Sequence, residues 1–218
     1  MELIIMNACK KEDIFEFLES GHIYKLNGTI IPGVSAVLSP LSDFSSVHPA
    51  IMKQAQDYGS NVHKTIELYL NAELDEDNLD PHLKNVLEQF KIWDDNGGAL
   101  SKELYHNWII EKPSFHPSLK YAGTPDIAVI EEAIVDIKSR PCNPIRDILQ
   151  LTAYEAFYGK PGSHRLIVLE LYEDRYKEVD LSNHKLRKQA WGYFRYLLDH
   201  YYHQQEFNRK LQGWKNSA

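Results

Sequence analysis

The sequence predicts a mixed α/β (α+β) fold with one mixed central β-sheet flanked by helices, and three features carry that expectation. An Asn27-Gly28 pair sits between two alternating apolar runs, the pattern of a tight hairpin. After Gly97 and Gly98 the apolar spacing changes from a helical repeat to strand-like alternation. An amphipathic segment closed by Gly159 then separates two groups of strand-like segments, as a sheet covered by helices requires.

The elements follow in order. Pro32 and Gly33 end the second strand of the hairpin. Ile51, Ala55, Tyr58, Val62, Ile66, Tyr69 and Leu70 recur at helical spacing, giving one long helix or two short ones broken near Gly59. The acidic stretch AELDEDNLDP reads as a solvated loop leading into a helix from Pro81 to Asp95, which the two glycines stop. ELYHNWIIE suits a strand ending at Glu111. YAGTPDIAVI and AIVDIKS suit two more, turning at Glu131 and Glu132. PIRDILQLTAYEAFYG is the amphipathic helix, HRLIVLELYE and RYKEVDL a further strand pair, and an aromatic-rich helix closes the chain.

At 218 residues, one domain with a substantial interior is the simplest organisation. A net charge of −7 argues against a chain that coats nucleic acid non-specifically, though it leaves room for a local basic groove or for metal ions among carboxylates. No apolar run reaches membrane-spanning length and the start has no basic region before a long apolar core, so the expectation is a cytoplasmic protein with no membrane partner. Cys9 and Cys142 are too few for a zinc or iron–sulfur site and read as reduced thiols.

GTPDIAVIEEAIVDIKS places Asp126, Asp136 and Lys138 at the ends of two greasy strands. Residues two apart on a strand share a face, so Asp136 and Lys138 project together while Ile137 points into the opposite layer. Asp126 can face Asp136 across the hairpin, and Glu111 can close a third side. Such carboxylates repel unless a hard divalent cation sits between them, with a backbone carbonyl such as that of Ile137 and waters completing its shell. Lys138 beside that cage would steady an attacking water or the charge of a transition state. These residue types suit metal-dependent phosphodiester hydrolysis.

GTPD, VDIKS and QLTAY together resemble the PD-(D/E)XK nuclease superfamily, in its RecB-like and phage-exonuclease branch. Gln150 and Tyr154 match the helical Gln and Tyr four residues apart that mark that branch. GSNVHKTIE resembles its Gly-x-x-x-His helix, and IIPGVSAVL resembles a Pro-x-Val-[ST] segment of related exonucleases, including the mitochondrial genome maintenance type. The likeness covers roughly residues 30 to 172. It implies a restriction-endonuclease-like core at about 100–172, an N-terminal hairpin and helical part at about 20–98, and a C-terminal helix at about 183–213. It implies Asp126 and Asp136 as principal metal ligands, Glu111 and His63 completing or flanking the site, and Lys138 as the catalytic lysine. Gln150 and Tyr154 would position the strand or the lysine. One or two Mg2+ or Mn2+ ions are the implied cofactor. The cysteines of iron–sulfur members are missing.

Several of these residues also have plainer readings. His63 can be a half-buried helix histidine, Glu111 a solvated strand end, and Tyr154 a core aromatic. Glu67 either orients His63 or lies on the surface. Lys120, Tyr121, Arg140 and Arg146 are possible nucleic-acid contacts or ordinary flanking residues. Trp191, Tyr193, Phe194, Tyr196, Tyr201 and Tyr202 read as core packing or as a stacking platform for single strands. The expected function is a metal-dependent DNA exonuclease acting from ends in recombination, repair or phage genome processing, beside a possible recombination or single-strand-binding partner. A structure-specific endonuclease and a non-catalytic nucleic-acid-binding module are the alternatives.

Overall fold

The computed structural model describes residues 4–5, 13–42, 47–96 and 107–216, and everything below concerns these. The chain opens with a four-stranded antiparallel sheet, β1 (Ile4–Ile5), β2 (Ile14–Leu18), β3 (Ile23–Leu26) and β4 (Thr29–Ile31). The predicted hairpin is its β3–β4 half. Asn27 and Gly28 both take positive φ, 52° and 76°, as the tightest two-residue turn demands. β1 and β2 are additions that the sequence pattern does not announce.

A short helix α1 (Val34–Val37) and a 3-10 turn (Ser39–Leu41) lead to α2 (Pro49–Leu70), which runs unbroken through Gly59. Its start is capped by His48, whose Nδ1 accepts the Ala50 N–H. Pro49 holds the first helical position, where a missing N–H costs no intrahelical bond. α3 (Pro81–Asp95) has the predicted bounds, with Asp80 accepting the His82 N–H as its cap. Gly97 and Gly98, expected to stop it, lie outside the described residues, as does the start of the strand predicted before Glu111.

β5 (Trp108–Ile110) follows, then the two-stranded pair β6 (Ser114–His116) and β7 (Tyr121–Gly123). β8 (Ile127–Val129) and β9 (Ala133–Lys138) form the expected hairpin around Glu131, at φ 65°. In the sequence β7 and β8 read as one strand, and β6 goes unseen. Pro125 lacks the N–H that a continuous ladder needs, so the strand breaks and its two halves join different sheets. α4 (Pro144–Tyr158) crosses from β9 to its parallel neighbour β10 (Arg165–Leu171). β11 (Tyr176–Asp180) and the 30-residue α5 (Arg187–Asn216) complete the order.

The central sheet has the order β11-β10-β9-β8-β5 and is mixed, since only β9 and β10 are parallel. Alternation along the strands builds two cores. Ala128, Ile134, Leu166 and Val168 pack with α1, α4 and α5, whereas Ile127, Val135, Ile137 and Leu169 pack with α2 and α3. The N-terminal sheet is fastened through β7, where the Ala122 N–H donates to the Pro32 carbonyl at 2.9 Å and Ala122 joins Phe15, Tyr24 and Ile31. Among the described residues no helix is long and apolar enough to cross a membrane.

Candidate active site

Strand register assembles the acidic row. Ile110 pairs with Ile127, so the next pair is Glu111 with Asp126, and the Glu111 N–H donates to the Asp126 carbonyl at 3.0 Å. Ile127 pairs with Val135, which sets Asp126 opposite Asp136. Three carboxylate residues therefore lie side by side across three adjacent strands. Glu111 adopts φ 45°, a left-handed conformation that non-glycine residues avoid, at the point where β5 stops.

Asp126 is 6% exposed. Its Oδ2 accepts the Ile137 N–H at 2.5 Å and its Oδ1 lies 3.0 Å from His63 Nδ1. The same histidine nitrogen is 3.5 Å from Glu111 Oε1. α2 holds His63 there because Val62 and Ile66 are buried against the sheet. One turn earlier Gly59 passes Ser139, whose Oγ would lie 3.5 Å from a Cβ.

Burial works against a charge on His63, but the Asp126 carboxylate and hydrogen bonds to Asp126 and Glu111 outweigh it and raise its pKa to about 10. Without a bound cation an imidazolium at His63 is a counter-charge for the row, and it must give up its proton to ligate an ion. Burial, reinforced by Asp126, pushes Glu111 up to about 7. Asp126 is held below the ordinary carboxylate range, because His63 and Lys138 overcome its burial. Asp136, the deepest of the three at 1% exposed, is pushed up to about 6 by burial in spite of Lys138.

His63, Glu111 and Asp126 offer ligand atoms within 4.8 Å of one another, so this group could hold a metal ion. Its donor set, one imidazole and carboxylate oxygens, fits a divalent cation. Asp136 stands outside the trio. Its Oδ1 accepts from Gln150 Nε2 at 3.0 Å, while Oδ2 pairs with Lys138 Nζ at 2.5 Å as an ion pair without hydrogen-bonding angles. That oxygen is already held by the lysine, and its remaining lone pair is what it could offer a metal ion.

Behind Asp136 runs a chain of amide, phenol and guanidinium. Gln150 Nε2 also donates to the Tyr154 hydroxyl at 3.2 Å, and Gln150 Oε1 accepts from Arg146 at 3.1 Å. Arg146 reaches Ser42 Oγ at 3.2 Å with its Nε. Residues 146, 150 and 154 are one row of α4, which is why a single helix carries all three groups. Asn143 and Pro144 start that helix, with Asn143 Oδ1 accepting the Arg146 N–H.

Other singled-out residues have different employment. Glu67 pairs with Lys64 at 2.8 Å rather than with His63. Arg140 forks the fully buried Asp147 at 2.7 and 3.1 Å and donates to the Pro141 carbonyl, so its fork ties the loop after β9. Tyr121 is buried and donates to the Ala153 carbonyl at 2.9 Å, which removes it as a nucleic-acid contact. Lys120 is exposed, and its carbonyl accepts the Tyr202 hydroxyl at 2.5 Å.

Two carboxylates escape notice in the sequence. Asp147 accepts the Asn143 N–H at 2.7 Å besides the Arg140 fork, and its signal is an acid in the first turn of a helix. Glu170, beside Lys138 in the parallel ladder, accepts the Cys142 N–H at 2.9 Å and the Tyr172 hydroxyl at 2.8 Å. Together they pin both ends of the loop that follows Lys138.

No protein-family model matches the chain, and no curated protein matches it. Fold and site define a mixed α/β protein with a histidine–carboxylate cluster at the end of its central sheet and a lysine-paired aspartate beside it.

Proposed function

We propose that the protein is a divalent-metal-dependent deoxyribonuclease that hydrolyses phosphodiester bonds from DNA ends. The observation that carries this reading is the juxtaposition of the His63–Glu111–Asp126 trio with the Asp136–Lys138 pair, 2.5 Å apart, at one sheet end. It agrees with the order of motifs that resembles the PD-(D/E)XK nucleases.

Bound Mg2+ or Mn2+ would acidify a water and offset charge on the scissile phosphate. His63, Glu111 and Asp126 would hold it, joined by the lysine-paired oxygen of Asp136 and the Ile137 carbonyl. Lys138 is the compact cation of the site: its ammonium orients the attacking water and neutralises charge that develops on the phosphoryl oxygens. Gln150 fixes the Asp136 carboxylate, and Tyr154 and Arg146 fix Gln150 from its two sides. The water gives up a proton as its oxygen bonds to phosphorus, the bond from phosphorus to the departing sugar oxygen breaks, and that oxygen takes up a proton, so that none is gained or lost overall.

The test uses end-labelled linear DNA and covalently closed circles, single- and double-stranded, with Mg2+, Mn2+ or chelator. Metal-dependent loss of linear DNA alone, abolished in Lys138→Ala and Asp126→Ala, is the expected result. Cleavage of circles as well would make it an endonuclease. DNA binding with no cleavage of any form would overturn the catalytic reading in favour of a binding module.

A further inference from the structure

Hydrolysis at the candidate site has to dispose of the proton of the attacking water. The side chains that would hold the ion have their lone pairs engaged by it, and the Lys138 ammonium has none to offer. A chain of proton-carrying groups that the mechanism leaves unused comes from the N-terminal sheet. The Tyr24 hydroxyl bonds His22 Nε2 at 2.7 Å and Thr124 Oγ1 at 3.0 Å. Thr124 is half-buried, two residues before Asp126, whereas His22 is exposed. Tyr24 between them is buried.

Three features mark this array as more than a fastening between sheets. First, one partner satisfies a buried phenol, and Thr124 is one; the second bond leads outward to an exposed imidazole. Second, the Tyr24 ring is clamped. A Cβ at Gly33 would lie 3.0 Å from its Cε2, and Phe17 stacks on it with centroids 5.0 Å apart. A left-handed turn, with φ of 92° at Gly21 and 51° at His22, sets the imidazole edge-on to the same ring, centroids 5.1 Å apart. Such fixed donors and acceptors within hydrogen-bond reach are what proton transfer requires. Third, the inner end stands where the water is handled. β8 and β9 are antiparallel, so the chain runs from Asp126 back to Thr124 in the direction that leads from Asp136 on to Lys138. Burial above all pushes the Tyr24 phenol up to about 12, and the Glu111 carboxylate adds to the rise, so a proton passes along without leaving a phenolate behind. Partial burial lowers the His22 pKa, which leaves its ring neutral and able to accept at neutral pH.

We propose that Thr124, Tyr24 and His22 form a relay that carries the proton of the attacking water out to solvent. This role rests on the nuclease reading for its reaction and adds the route of the proton. With the ring proton of His22 on Nδ1, its Nε2 accepts from Tyr24, and Tyr24 accepts from Thr124. As the water oxygen bonds to phosphorus, its proton passes to Thr124 Oγ1, the Thr124 proton to the Tyr24 oxygen and the Tyr24 proton to His22 Nε2. Both hydroxyls end as they began. The imidazolium releases its proton to solvent, from which the departing sugar oxygen draws its own.

The test measures cleavage of end-labelled linear DNA with Mg2+ by the wild type, His22→Ala and Tyr24→Phe, each with and without added imidazole. His22 is exposed and Tyr24→Phe keeps the packed ring, so both variants are expected to fold, with melting curves as the check. In both, kcat is expected to fall about 100-fold, the size of a lost proton transfer, while KM and the Mg2+-induced rise in Tm stay as in the wild type. Imidazole should return about tenfold or more of the rate to His22→Ala and nothing to Tyr24→Phe, in which the path is cut further in. Wild-type kcat in either variant overturns the relay. So does a slow His22→Ala that imidazole leaves slow, since the array would then only tie the N-terminal sheet to Thr124. Lys138-dependent cleavage that is indifferent to His22 removes the relay and leaves the nuclease standing. A wild type that cuts no DNA removes the nuclease reading, and the relay with it.

Discussion

The ring of Tyr154 fills the space that a side chain at Gly123 would need: a Cβ there would lie 2.6 Å from Tyr154 Cε1 and 3.2 Å from Val34 Cγ2. Both neighbours are buried, so neither can step aside into solvent. Gly123→Ala is expected to cost about 1–3 kcal/mol of stability. Because Tyr154 accepts from Gln150, the same change should lower cleavage more than substrate binding, measured as kcat against KM. Unchanged stability in Gly123→Ala would show that the ring is free to move.

Lys138 and Asp136 form a pair in which the aspartate is fully enclosed and the lysine mostly so. Lys138→Met keeps the aliphatic stem and removes the charge. Cleavage should fall at least about 100-fold, the size of a lost electrostatic contact to a transition state. Binding of uncut oligonucleotide should change little. Retained cleavage would rule out Lys138 as the catalytic cation.

The histidine–carboxylate trio predicts stabilisation by metal. At a concentration about 100 times its Kd, an ion adds about 2.7 kcal/mol. For a chain of this length that raises Tm by roughly 5–10 °C. Titration with Mg2+ and Mn2+ in a thermal melt should show the rise, chelator should reverse it, and Asp126→Asn should remove it. A wild-type Tm indifferent to both ions would mean that the cluster is only a hydrogen-bonded strand end.

Glu155 supplies a pH dependence away from that site. It is fully buried on α4 and accepts from Arg187 at 2.8 Å on each oxygen, and from the His164 and Gly162 N–H groups. Burial would raise its pKa, but these partners hold it below the ordinary 4.5. A depressed folded-state value means that the stabilisation is complete above the unfolded value and drains away as pH falls through the folded one. Glu155→Gln should therefore be less stable than wild type by about 3 kcal/mol at neutral pH. That gap should narrow as pH falls below about 4.5 in denaturant titrations. A gap independent of pH would show that the carboxylate's charge contributes nothing.

Much of the site can be read from sequence because strand arithmetic is local. Asp126 faces Asp136 once the turn is put at Glu131, and Gln150 and Tyr154 share a row once α4 is recognised. The β7–β8 break is also written there, in Pro125, but an otherwise continuous apolar run masks it. β6 is hidden by its length, three residues between Pro113 and Pro117. His63 is different in kind: nothing local links it to a carboxylate 63 positions later, and only the likeness to a helix motif picks it out. Arg140 and Tyr121 mislead because their partners, Asp147 and the Ala153 carbonyl, come from α4, and no local pattern announces such tertiary partners.

That separation in sequence bears on how the site comes together. Residues 108–158 carry every other member, so strand zipping and one short crossover can assemble the carboxylate row and its lysine early. His63 arrives from outside this unit, on a helix whose first three turns bury no side chain fully. α2 can then open locally, and that opening would part His63 from Asp126 while the sheet stays paired. An ion held between them would act as a latch across that seam, slowing amide exchange along α2 and leaving exchange in β9 and β10 as it was.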